Sequence, residues 1–237
     1  TSGAFDETWN GGQGGEFATD LFVTCLASDG ASLEFSTFFG GSNNDWGYAV
    51  SVAGNGDFLV AGDAFSADFP TTPRAWDTTL NSSDGFVSRL LPDGSAFVFS
   101  TFLGGSDSES GVFDIVELAN SSLAVVGRTQ SADFPTTPDA YDATWPGGND
   151  VFLTVMDALG SRLVYSTLFG GSKHDSATTL AVRPDGSFVV AGTSSSQDFP
   201  ITPGALDSVP PVVPFLKSFV FALDTQSNEL QYSTFIS

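Results

Sequence analysis

Apolar residues in this chain fall into short Phe- and Val-rich runs punctuated by Gly, Pro, Asn and Asp, and no helical period of useful length appears. The segment "FVSRLLPDGSAFVFSTFLGG" (86–105) is two such runs joined by Pro-Asp-Gly-Ser, a compact hairpin signal. "VFDIVELANSSLAVVGRT" (112–129) is a second pair of runs around Asn-Ser-Ser. The sibling turns "AGNGD" (53–57) and "RPDGS" (183–187) carry the Asn-Gly or Asp-Gly that tolerates positive φ. Each unit therefore offers four short strands in two hairpins.

The pattern repeats. Ser-Thr-Phe/Leu starts at Ser36, Ser100, Ser166 and Ser233, and Gly-Gly-Ser follows the first three at Gly40, Gly104 and Gly170. Asp-Phe-Pro starts at Asp68, Asp133 and Asp198, within "SADFPTTP" (66–73 and 131–138) and "SQDFPITP" (196–203). First-type hairpins occur near 21–38, 86–102, 152–168 and 219–235, and second-type hairpins near 49–64, 112–129 and 179–194. This predicts an all-β, propeller-like array of four-stranded antiparallel blades, about 3.5 repeats of roughly 65 residues. It reads as one domain over 1–237, with a half-blade hairpin at 17–41 and units at roughly 42–105, 106–171 and 172–237. The proline-bearing connector is expected to be a stiff crossover that sets each blade beside the last. The half-blade is expected to expose unpaired strand edges and to seek another chain.

On these linked phrases, "YSTLFGGSKHDSATTLAVRPDGSFVVAGTSSSQDFPITP" (165–203), with 35–73 and 99–138, resembles the SBBP repeat, the family named for the seven-bladed β-propeller. The resemblance implies a propeller-like fold in a secreted or surface-attached microbial protein and implies no defined catalytic activity. The incomplete blade number departs from a self-closed ring.

Charge narrows the partners. The 28 acidic and 7 basic residues give a net charge of -21, which argues against nucleic acid and against an anionic membrane surface. No stretch approaches a membrane span. Beginning at Thr1 without Met, the sequence is expected to be a processed or partial chain. Cys25 is the single cysteine, so no intrachain disulfide can form.

Four acidic positions recur: Asp45, Glu109 and Asp175 after Gly-Gly-Ser; Asp68, Asp133 and Asp198 before Phe-Pro; Asp6, Asp77, Asp142 and Asp207; and Asp20, Asp84 and Asp150, two residues before a Phe. Such carboxylates either fix turns or gather as hard oxygen ligands for Ca2+. The candidate calcium ligands are Asp45, Asp107, Glu109 and Asp175, with "SDSES" (106–110) the densest stretch. His174 and Cys25 do not recur and have no catalytic motif around them; a hydrolase built on His174 and Asp175 ranks last. "GGQGG" (11–15) lacks the Lys-Ser/Thr of a phosphate-binding loop and reads as a turn. Asn81 and Asn120 head glycosylation sequons. The leading expectation is a non-catalytic extracellular structural protein that associates with copies of itself through incomplete blades, into a filament in one version. The alternative is a calcium-dependent carbohydrate-binding propeller in which Trp46 and Trp145 stack on glycans.

Overall fold

The computed structural model describes residues 1–10, 19–212 and 214–236, and every regular element in them is a strand. β1 (Leu21–Leu26) and β2 (Leu33–Phe39) form a two-stranded sheet. Three four-stranded antiparallel sheets follow. They are β3 (Asp45–Val52), β4 (Phe58–Ala64), β5 (Asp84–Leu90) and β6 (Phe97–Leu103); β7 (Glu109–Glu117), β8 (Leu123–Thr129), β9 (Asp150–Met156) and β10 (Leu163–Phe169); and β11 (Asp175–Val182), β12 (Phe188–Ser194), β13 (Lys217–Asp224) and β14 (Glu229–Ile236). Within each sheet the strands pair in chain order, giving an array of blades and no closed barrel.

The connector corrects the expectation drawn from its prolines. It lies inside a blade, joining antiparallel neighbours whose ends face each other: Ala64 opposite Asp84, Thr129 opposite Asp150, Ser194 opposite Lys217. The step between sheets is the short Gly-Gly-Ser link instead. The physical reason is edge protection, because the connector folds back along the outermost strand of its own sheet. Over β6, Thr72 N–H donates to Ser100 O (2.9 Å), Phe102 N–H to Asp77 O (3.0 Å) and Asp77 N–H to Thr101 Oγ1 (2.9 Å). Thr137 and Asp142 do the same over β10, and Thr202 and Asp207 over β14.

Residues 1–6 cover β2 in the same way, through Thr1 to Ser36 O (2.7 Å) and Phe38 N–H to Asp6 O (3.1 Å). Among the described residues the half-blade thus leaves one edge open, that of β1, rather than both.

Three apolar clusters fill the three junctions between successive sheets. Phenylalanine supplies much of each. The Phe of every Asp-Phe-Pro packs on the Phe of a central strand: Phe69 on Phe86 (4.7 Å between ring centres), Phe134 on Phe152 (4.6 Å) and Phe199 on Phe219 (4.6 Å). The connector is thereby tied to the core as well as to the edge.

Candidate functional site

The four recurring acidic positions meet at the junctions. The first Gly of each Gly-Gly-Ser passes so close to an acid that a Cβ there would overlap it: Gly40 with the half-buried Asp20, Gly104 with the buried Asp84 and Glu109, Gly170 with the buried Asp150 and Asp175. The second Gly meets Asp68, Asp133 or Asp198 in the same way. The following Ser then donates both N–H and Oγ–H to that Asp, at 2.8 and 3.0 Å for Ser42 on Asp68 and 2.9 and 3.0 Å for Ser106 on Asp133. Asp6, Asp77 and Asp142 stand one step further out, each turning its own loop by accepting the N–H two residues on. Gly-Gly-Ser and Asp-Phe-Pro are two halves of one structure.

Within each set the acids play unequal parts. Asp45 is saturated by Gly41 N–H (2.8 Å), Phe65 N–H (2.9 Å) and Ser66 (N–H 3.2 Å, Oγ–H 2.7 Å). Glu109 accepts from Thr129 Oγ1 (2.8 Å), and Asp175 from Gly171 N–H (2.6 Å) and Ser196 Oγ (2.8 Å). Each of the latter two keeps one buried oxygen without a donor, Glu109 Oε2 and Asp175 Oδ1. Across from them Asp84 Oδ1 and both oxygens of Asp150 are likewise buried and undonated. Asp84, Glu109, Asp150 and Asp175 are all 1% exposed or less.

Such burial disfavours charge. Desolvation pushes Asp150 up to about 8, with Asp175, Asp142 and Asp198 adding repulsion. It raises Asp84 and Glu109 too; the neighbouring Glu109 carboxylate and then Asp77 push Asp84 further up, while Ser131, Thr129 and Asp84 partly counter the rise at Glu109. Asp20 is raised by burial, with Asp45, Asp6 and Asp68 contributing. The Asp-Phe-Pro carboxylates move the other way, held low chiefly by the N–H of Ser42, Ser106 or Ser172.

The fourth copy differs. Register places Lys217 where Asp84 and Asp150 stand, since Ser194 faces Lys217 as Ala64 faces Asp84 and Thr129 faces Asp150. Its ammonium lies 2.6 Å from Asp207 Oδ2 and donates to Val209 O (2.9 Å). Asp207 is the counterpart of Asp77 and Asp142. A positive charge occupies the position that elsewhere holds the unpartnered acid.

Of the residues expected to bind calcium, the structure brings Asp45, Glu109 and Asp175 to equivalent buried places. Asp107 is separated from them: it is exposed, and its backbone N–H is taken by Ser131 Oγ (3.0 Å). Asp84 and Asp150 are the partners that sequence reasoning placed among the recurring acids without pairing them. Among the described residues no group of three Asp, Glu, His or Cys side chains forms a ready cage. The acids converge in twos, with the others of each set at longer Coulombic range.

The remaining candidates scatter. Trp46 is exposed and donates its indole N–H to Thr19 Oγ1 (2.8 Å), whereas Trp145 is half-buried against the apolar cluster between the second and third sheets. They do not share a setting. His174 is exposed, and its backbone bonds to Ser195. Cys25 donates towards Glu34 (3.3 Å), which raises its thiol and leaves it a poor nucleophile. Asn81 spends its side-chain N–H on Gly105 O (2.7 Å), and Asn120 sits exposed at the β7–β8 turn with its Oδ1 on Ser122 N–H (3.1 Å). The Gly-rich stretch at 11–15 lies outside the described residues.

The open edge is the other unusual surface. Ser36 and Phe38 spend their backbone groups on residues 1–6, so in an antiparallel ladder Thr24 and Phe22, which face them, point their N–H and C=O away from β2. In complete blades that row pairs with β4, β8 or β12. Beside β1 runs a groove of about 810 Å³ lined by Leu21–Thr24 and Asp45–Val52. Its apolar wall is unpacked: Val50 is 66% exposed, whereas the residues in the same register, Ile115 and Leu180, are 3% and 8% exposed.

At the inner edge, Tyr48 donates its hydroxyl to Asp63 Oδ2 (3.2 Å) and packs on Phe113 (5.2 Å between ring centres), with Arg128 over that ring. Burial raises Asp63 to about 7, partly countered by Tyr48, Arg128 and the Gly111 N–H. No model of a known protein family matches this chain, and no curated protein does either.

Proposed function

We propose that this chain is a non-catalytic, extracellular β-repeat scaffold that self-associates through its unfinished sheet, β1 of one copy pairing edge to edge with β1 of a second. The single observation that carries this reading is the exposure of Val50 in a register where Ile115 and Leu180 are buried. An apolar face shaped like an interior, beside a strand with a free row of N–H and C=O, is an interface in waiting. The outer strands are covered by their own connectors, whereas β1 offers an edge that a complete blade would pair with a further strand. Two chains, each of three full sheets and one half-sheet, together supply seven blade-equivalents, in keeping with the resemblance to seven-bladed propeller repeats.

Pairing of β1 with β1 is two-fold and closes on itself. The opposite end of the array exposes Leu206, Val212, Phe215 and Leu216, and a contact there would link pairs into a filament. The excess of carboxylates keeps such assemblies soluble and suits an extracellular setting.

Light scattering behind a sizing column, with negative-stain microscopy, tests the reading. The chain is expected to dimerise at micromolar concentration. Thr24→Pro removes one outward N–H without touching the β1–β2 ladder, and is expected to give a monomer with an unchanged circular dichroism spectrum. A compact monomer at high concentration, or a Thr24→Pro protein that still associates, would sink the proposal.

A further inference from the structure

We infer that two of the blade junctions are divalent-cation sites of the Ca2+ class, one between Asp84 and Glu109 and one between Asp150 and Asp175. Each is built from strands of two successive sheets around the Gly-Gly-Ser link, so a bound ion would staple one blade to the next.

Geometry comes first. Asp84 Oδ1 and Glu109 Oε2 both press on the space where Gly104 would carry a Cβ; at Gly170 Asp150 Oδ1 does so beside Asp175 Oδ2, the oxygen of Asp175 that also accepts from Gly171 N–H and Ser196 Oγ–H. These acids are 1% exposed or less, and each retains at least one oxygen that no described group donates to. A buried carboxylate is ordinarily ion-paired, hydrogen-bonded or bound to a metal. The charged groups facing these pairs are further acids, Asp77 for the first and Asp142 and Asp198 for the second.

The fourth copy supplies an independent sign. There Lys217 takes the position of Asp84 and Asp150, and its ammonium finds Asp207 Oδ2 and Val209 O. There the chain provides its own cation, and the acid is gone.

The first junction is not included. Both oxygens of Asp45 are already saturated with protein donors, which leaves Asp20 without a second acid of the kind the other two junctions supply among the described residues.

The donors are all oxygen, the set suited to hard ions and poorly suited to zinc or copper. Two carboxylates leave most of the roughly six to eight positions that Ca2+ takes to backbone carbonyls and water. Gly104, which adjoins the Asp84 pair, also lines a cleft of about 310 Å³ together with Trp76, Asp77, Asn81 and Asp133.

The alternative is that each pair shares one proton, as two close carboxyl groups do when no cation separates them. The experiment separates the two. The full chain, stripped with EDTA and held at pH 7.5 in 0.15 M salt, is titrated with CaCl2 by calorimetry and melted with and without 1 mM Ca2+. Tb3+ emission excited through indole gives a second readout, since Trp76 lines the cleft.

Two equivalents should bind above the diffuse background of an acidic surface, and the melting temperature should rise on the order of 5–10 °C. Glu109→Gln and Asp150→Asn should each remove one equivalent. D150K, which copies Lys217 of the fourth sheet, should remove one equivalent and be less sensitive to EDTA. No saturable uptake, or two equivalents still bound by both variants, overturns the inference. Higher melting temperatures for Asp84→Asn and Asp150→Asn in EDTA, with no calcium response, assign the shared proton instead.

Discussion

The two ends of the sheet array are made from nearly the same residues, and they fare differently. In the complete blades, Phe86, Phe152 and Phe219 each stand opposite a residue of the Ser-Thr-Phe/Leu phrase and are fully buried. Phe22 holds that register in the half-blade, opposite Phe38, and is 67% exposed. The chemistry of the side chain is constant, so the difference is the neighbour. A full blade places an inner hairpin alongside, with Gly127 letting the Phe152 ring lie against its backbone. The half-blade has no such hairpin. A strand of this repeat gains its burial from the sheet around it and little from its own sequence.

Substitutions at matched positions break or sharpen that comparison. The largest effect belongs to Phe152→Ala, which should lower the unfolding free energy by about 3–5 kcal/mol in chemical denaturation, because a large ring leaves a cavity in close-packed surroundings. If Phe152→Ala proves as mild as its half-blade counterpart, the blades do not share one packing rule.

Next comes the pH dependence of Asp63. Its carboxyl is near 3.8 when unfolded and about 7 when folded, so the folded state holds a proton that the unfolded chain has released between those values. Its contribution to stability is complete below about pH 4 and is lost as pH rises through about 7, a swing of up to about 4 kcal/mol. Asp63→Asn should flatten that part of the stability-pH curve, and urea midpoints from pH 4 to 8 would read it out.

Arg89 and Cys25 form the third matched pair. The buried guanidinium of Arg89 bonds Asp57 (2.7 Å) and Glu117 (3.1 Å) across two sheets, while Cys25 holds the same register in the half-blade. Arg89→Ala should cost about 3 kcal/mol by stranding buried carboxylates, and Cys25→Ala should cost under about 0.5 kcal/mol. The smallest expected effect is that of Phe22→Ala, within about 0.5 kcal/mol for the isolated chain. A large loss there at low protein concentration would mean that the half-blade is packed in solution by something other than a second copy.

Much of the architecture was legible from neighbouring residues. Pro-Asp-Gly-Ser and its relatives closed tight turns, with Gly94 and Gly186 at φ of 70° and 88°. The Phe/Val runs became strands and the repeat spacing matched the sheets. The connector was misread because its prolines exclude a ladder partner inside a sheet, and nothing local shows that Thr72 and Asp77 instead lie along β6. Asp107 stands two residues before Glu109 in a run of acids, yet it lies in the link ahead of β7 and is exposed, whereas Glu109 opens the strand and is buried.

The sequence by itself determined the strands, their turns and the recurrence of four acidic positions, because each depends on residues within a few places of one another. Only the tertiary structure decided which carboxylates meet, which edge stays open and where Lys217 stands in for an acid. Those depend on groups far outside one another's local sequence being brought together by sheet pairing, and on the loss of water that follows when the sheets stack.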